Sequence, residues 1–405
     1  MSLIRRPDLN TLAALRQGID LPEPVSSTEA PATNPEGDPQ PLTDALSAAS
    51  RGEGHVTAAR GVRTLGGSFE DVFIPRRSPD AHDVVIEIEY CGLCHSDVHA
   101  GRGEWGVRAM PLVPGHEIVG RVAAVGAAVT AFKPGDRVGV GVMVASCREC
   151  DQCTAGREMY CSNGGSVSTY AAWDRFHGER TQGGYARTVV TAEDFVYALP
   201  EGLDPAGAAP LLCAGITTYS PLAAAGVGPG SRVAVAGIGG LGHLAVKIAV
   251  AMGATVTALT HSESKTQAAL DLGAHEVVLT SDEAALKERA QAFDVIVDAI
   301  AAGHDVNTFL SLLRSGVGKL ALIGMPPADV ASLDVDSAQL SRRGLTLFGS
   351  KIGGVAETRD MLDFCAEHGV TSDVEVVSAS QLDEAWDRMV AGDVRYRFVL
   401  DATTI

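Results

Sequence analysis

Four of the eight cysteines, Cys147, Cys150, Cys153 and Cys161, fall within one stretch of fifteen residues. Thiolates gathered so closely in a long chain point to metal before disulfides. Two-residue gaps let one loop wrap a tetrahedral zinc, with Zn–S contacts of about 2.3 Å. The last gap is too long for the common bacterial iron–sulfur spacing. Four protein ligands leave no open coordination position, so this zinc is expected to pin a lobe and the reaction is expected elsewhere.

A second set is scattered: Cys94, His116 and Cys213. Two thiolates and an imidazole leave room for a water or a substrate oxygen, which is the arrangement of a catalytic zinc. Each residue alone is more often packed core; their occurrence together, beside the four-cysteine run, favours ligation. Glu117 is expected as a transient fourth ligand or as a group behind the ligands. Asp97 is expected to orient the His116 ring by accepting its other N–H.

The third constellation is Gly237-Ile238-Gly239-Gly240-Leu241-Gly242-His243, after an apolar run at 232–236 and before a helical run at 244–252. Strand before and helix after turn a weak glycine pattern into a dinucleotide-binding expectation. Gly237 would allow the tight turn, Gly239 the approach of backbone to pyrophosphate and Gly242 close helix packing, with the helix N-terminus attracting the anion. About twenty residues on, where an acid would hold an NAD ribose, Thr260 is neutral. Thr260, His261, Ser262 and Lys265 are expected to hold the 2′-phosphate of NADP(H), with Glu263 solvated.

The surrounding elements must bring these groups together. Period-two alternation at 83–90, 118–125 and 135–141 reads as a compact β-rich domain with cysteines and histidines on its loops. From about Ile216 continuous apolar strands alternate with helical stretches, which indicates a doubly wound parallel sheet. At 405 residues the chain has material for two or three domains. Residues 1–56 hold seven of the 19 prolines and no aromatic residue. That segment is expected to be a disordered extension, with room for a short helix at 9–16.

The net charge of −18 argues against a nucleic-acid partner. No uninterrupted run of 18 apolar residues suggests a membrane span. Arg5 and Arg6 lack the apolar segment of a twin-arginine signal, so a cytoplasmic location is the default expectation.

The motifs at 91–99 (CGLCHSDVH), 111–126, 147–153, 183–186 (GGYA), 210–222, 237–243, 361–369 and 393–401 resemble the zinc-dependent medium-chain alcohol dehydrogenases. The likeness is greatest to the cinnamyl-alcohol-dehydrogenase branch and its NADPH-dependent aldehyde reductases. It implies a GroES-like β-barrel catalytic domain from 57–213 and 354–405, with a Rossmann cofactor domain at 214–353 between them. It implies catalytic zinc on Cys94, His116 and Cys213, a second, structural zinc on the four-cysteine run, and homodimers. It further implies a proton relay from Ser96 to His99, an acid at Glu117, and Arg397 near the cofactor pyrophosphate.

The expected activity is interconversion of primary alcohols and aromatic or medium aliphatic aldehydes, by hydride transfer with zinc as Lewis acid. Trp105 and Val142 are expected to bound the pocket. NAD-dependent alcohol oxidation and a non-catalytic nucleotide-binding zinc protein are the alternatives. Lys351, where the family commonly has an apolar residue, is expected to point to solvent; facing the cleft, it would suit an aldehyde bearing a carboxylate or phosphate.

Overall fold

The computed structural model describes residues 41–106, 108–326 and 332–405. The strand Asp83–Gly92 is the organising element of the first domain, pairing antiparallel with Ile118–Val125, Thr188–Ala192 and Arg397–Asp401. Arg137–Val140 and Val196–Ala198 extend the seven-stranded sheet on one side, and Val374–Val377 closes it on the other. The last strands of the chain thus complete a sheet begun three hundred residues earlier. Val84, Val85, Ile86, Ile88 and Cys91 are all fully buried, so this strand has protein on both faces.

Part of that cover comes from a segment expected to be disordered. Leu42–Ser50 is an α-helix whose Ala45, Ala48 and Ala49 are buried. Ala49 packs with Val85 and Ala124. Burying one valine stabilises by roughly 1.5–3 kcal/mol, and the small alanines allow the close approach that does so. The extension therefore ends before residue 42, and the strand His55–Val62, paired with Phe69–Arg76, begins the sheet region. The rest of the expected tail, including the short helix at 9–16, lies outside the described residues.

The second domain is a six-stranded parallel sheet in the order Glu276–Leu279, Thr255–Thr260, Arg232–Ala236, Val295–Asp298, Lys319–Leu322, Thr346–Gly349. Val233 and Val235 enter one core with Leu244, Ile248 and Val256. Ala234 and Ala236 enter the other, with Ile296, Leu310 and Leu320. Two buried faces explain why these strands read as unbroken apolar runs. Chain order reverses at Arg232–Ala236, and the crevice beyond the carboxyl ends of this strand and Val295–Asp298 is where such sheets bind ligands. Among the described residues no single helix is long and apolar enough to cross a membrane.

Candidate active site

Each member of the scattered set sits at the end of an element. Cys94 follows the strand Asp83–Gly92 and caps the helix His95–Arg102; Cys213 caps the helix Ala214–Ala225; His116 and Glu117 precede the strand Ile118–Val125. Their ligand atoms lie within 4.8 Å of one another. His116 Nε2 is 3.3 Å from Cys213 Sγ.

Asp97 holds this cluster in place. Fully buried, it accepts from His116 Nδ1 at 3.1 Å and Gly115 N at 3.2 Å through one oxygen, and from Cys94 N at 3.0 Å and Tyr185 Oη at 3.3 Å through the other. With Nδ1 engaged, Nε2 is the nitrogen left to meet a metal. A hydrogen bond from the Cys213 thiol, aided by His116, holds the Cys94 thiol well below its ordinary pKa. Sharing that hydrogen bond keeps Cys213 well above its own.

Glu117 is fully buried, and burial pushes its carboxyl up to about 7 against the opposing pull of Arg397. One of its oxygens bonds Arg397 and the other has no partner among the described residues. A buried orphan oxygen beside two thiols and an imidazole fits a zinc ion, the donor set being soft and borderline ligands at tetrahedral reach.

The four-cysteine loop also converges, again within 4.8 Å. Cys147 and Cys153 sulfurs are 3.8 Å apart. Backbone N–H groups of Cys150 and Ser162 donate to the sulfurs of Cys147 and Cys150 at 3.4 Å. Hydrogen bonding from Ser162 pulls the Cys150 thiol down to about 5. All eight cysteines are free thiols.

At the glycine loop, Gly237 has φ of +85°, which a side chain would strain. A Cβ on Gly242 would come 1.9 Å from the Gly237 carbonyl oxygen, whereas one on Gly239 would point into open space. That space leaves the backbone bare, with room for a group such as a pyrophosphate to approach it. Arg397 reaches it as well, since a Cβ on Gly240 would lie 3.2 Å from the Arg397 Nη1. Arg397 therefore spans Glu117 and the glycine loop.

Lys265 Nζ donates to the Ile238 carbonyl at 3.1 Å, which puts its charge beside the loop. Thr260 is buried and accepts from Ser262 N at 3.2 Å; Ser262 and Ser264 hydroxyls are 2.7 Å apart. His261 and Glu263 are exposed.

One cleft of about 560 Å³ joins the two regions. Cys94, His116 and Cys213 line it together with Gly240 and Leu241, and Ser96, His99, Trp105 and Val142 lie on its wall. His99 Nδ1 bonds Glu104, and its ring packs on Trp105 with centroids 4.6 Å apart.

The alcohol dehydrogenase GroES-like domain family matches residues 80–201, and the zinc-binding dehydrogenase family matches 240–367. NADP-dependent alcohol dehydrogenase C 1 of Mycolicibacterium smegmatis is 49% identical over 82% of this chain and 94% of its own length. The chain belongs to the zinc-binding alcohol dehydrogenases.

Aldehyde reductase YahK of Escherichia coli is 47% identical to the dehydrogenase over 83% of this chain and 95% of its own. Among solved structures, a cinnamyl alcohol dehydrogenase of Sorghum bicolor superposes with a TM-score of 0.82 at 42% identity, covering 86% of this chain and 98% of that one. A Helicobacter pylori enzyme of the same name, complexed with NADP(H), gives 0.80 at 36% identity, with the same coverage.

Lys351 lines the mouth of the cleft and is at the same time exposed to solvent, and Thr217 Oγ1 donates to its carbonyl at 3.4 Å, tying that segment over the helix that begins after Cys213. Tyr185 and Glu104, which bond Asp97 and His99, were not singled out as site residues, although Tyr185 lies within the GGYA motif at 183–186.

Proposed function

We propose that this dehydrogenase reduces aldehydes, and in reverse oxidises primary alcohols, with NADP(H), using one zinc held by Cys94, His116 and Cys213 and a second held by Cys147, Cys150, Cys153 and Cys161. The observation that carries this reading is that the first ligand set and the glycine loop open onto the same cleft. When bound, zinc supplies Lewis-acid polarisation of the carbonyl and NADPH supplies the hydride.

The chain's own groups supply the rest. Asp97 fixes the His116 tautomer and, through Cys94 N, the start of the helix that carries Ser96 and His99. Ser96 Oγ, 3.6 Å from Cys94 Sγ, is placed to give a proton to the nascent alcohol. His99, one helical turn on, keeps Nε2 for passing a proton outward while Nδ1 is held by Glu104. Arg397 compensates Glu117, leaving that carboxylate's second oxygen for transient ligation. Trp105, Val142, Ile323 and Ile352 exclude water and suit aromatic or medium aliphatic aldehydes.

Preference for NADP(H) is supported by neutral Thr260, the half-buried Ser262 and Lys265, and the cofactor in the names of the relatives. The same reading assigns 57–213 with 354–405 to catalysis and 214–353 to the cofactor. It makes the enzyme a cytoplasmic homodimer, a state supported by the strand Thr346–Gly349, which stands at the edge of its sheet with no further strand paired to it among the described residues. The test is NADPH consumption with benzaldehyde alongside metal analysis. Turnover with two zincs per chain is expected; nucleotide binding without turnover would contradict it.

A further inference from the structure

The cleft carries positive charge that reduction of a neutral aldehyde does not use. Arg108, Lys351 and Arg397 line it, and no aspartate or glutamate does among the described residues, in a chain whose net charge is −18. Arg397 is neutralised by Glu117. The other two are not matched by acids. Lys351 Nζ has no hydrogen bond or ion pair among the described residues, and burial alone, with no carboxylate to oppose it, lowers its pKa. Arg108 donates one Nη2 bond to the Trp105 carbonyl at 3.3 Å, and its buried Nε has no partner among the described residues.

Around these cations the wall is apolar: Trp105, Ile323, Met325 and Ile352. Lys351 stands exposed at the mouth with no carboxylate partner among the described residues, so its ammonium is available to donate a charge-assisted hydrogen bond to a bound anion. Its place is fixed relative to the reacting centre by the Thr217 hydrogen bond, four residues along the helix that Cys213 caps. Lys351 still meets solvent at the cleft mouth, so an anion can arrive there.

We propose that the preferred substrates are aldehydes carrying a carboxylate at the end remote from the carbonyl, with Lys351 receiving the carboxylate and Arg108 as a second donor. This rests on the aldehyde-reductase reading above and names its substrate class.

The test is steady-state reduction by the zinc-loaded enzyme with NADPH, using two pairs of probes: benzaldehyde with 4-carboxybenzaldehyde, and butanal with 4-oxobutanoate. The quantity read is the ratio of kcat/KM, anionic over neutral, within each protein, which is insensitive to overall turnover. For wild type a ratio of at least about tenfold is expected in one pair or both, as for a charge-assisted hydrogen bond. It should fall as salt is raised. Lys351→Met should abolish the ratio, mainly through KM, and Lys351→Arg should keep most of it. If Lys351→Met does not fold, Lys351→Gln serves the same comparison. A wild-type ratio near one in both pairs, or an unchanged ratio in Lys351→Met, overturns the proposal alone. Reduction of none of the four aldehydes overturns the dehydrogenase reading and this proposal with it.

Discussion

Asp97 Oδ1 lies 3.1 Å from His116 Nδ1, both side chains buried, so the carboxylate dictates which imidazole nitrogen faces the two thiols. Because the same carboxylate also accepts from Cys94 N, it positions two of the three ligands from opposite ends of one side chain.

Asp97→Asn keeps the shape but replaces one acceptor oxygen by an NH2 donor, which in either orientation faces two groups that had been donating to that oxygen. Loss of such a partner costs about 10–100-fold in metal affinity. Chelator competition should therefore remove one zinc from the variant at a concentration that leaves wild type loaded, while the other zinc resists equally in both. Equal retention of both ions would remove Asp97 from this role.

Lys265→Ala should raise the KM for NADPH by about 10–100-fold, the worth of one charge-assisted contact to phosphate. NADH has no 2′-phosphate, so its KM should hardly move. Parallel change for both nucleotides, or change for neither, would assign Lys265 to the loop contact with Ile238 alone.

His55 is buried, with Nε2 2.9 Å from Thr188 Oγ1, and burial together with Arg76 lowers its pKa to about 4. An unfolded chain takes up the proton near pH 6.5 and the folded one does not. Its stabilisation is therefore complete above pH 6.5 and is lost as pH falls toward 4. Between pH 7.5 and 5.0 that loss is about 2 kcal/mol. Urea unfolding of His55→Gln at the two pH values should show that much less acid sensitivity than wild type; an identical pH dependence would show that His55 does not titrate in this way.

Sequence legibility followed the range of the physics. The parallel strands were readable because two buried faces write themselves as apolar runs, and the four-cysteine loop because its ligands are local. The helix Leu42–Ser50 was not, since its alanines are explained only by Val85 and Ala124, which lie far along the chain. The place of Lys351 at the cleft mouth was equally hidden, since its segment is held by Thr217, 134 positions away, which donates to the Lys351 carbonyl. Arg397 was read as a cofactor contact, and its second engagement with Glu117, 280 residues distant, needed the returning C-terminal strand.

The proposed reaction depends on Cys94, His116 and Cys213 holding the reactive zinc and on the four-cysteine loop holding a structural one. Zinc content, NADPH-dependent benzaldehyde reduction and thermal unfolding measured together on wild type, Cys213→Ser and Cys153→Ser test it most directly. Two zincs are predicted for wild type. Cys213→Ser should keep one zinc and its melting temperature to within a few degrees, yet lose reductase activity, and Cys153→Ser should lose stability before chemistry. Two zincs and undiminished turnover in Cys213→Ser would remove the reactive zinc from these ligands, and unchanged melting of Cys153→Ser with one zinc gone would deny the other ion its structural role.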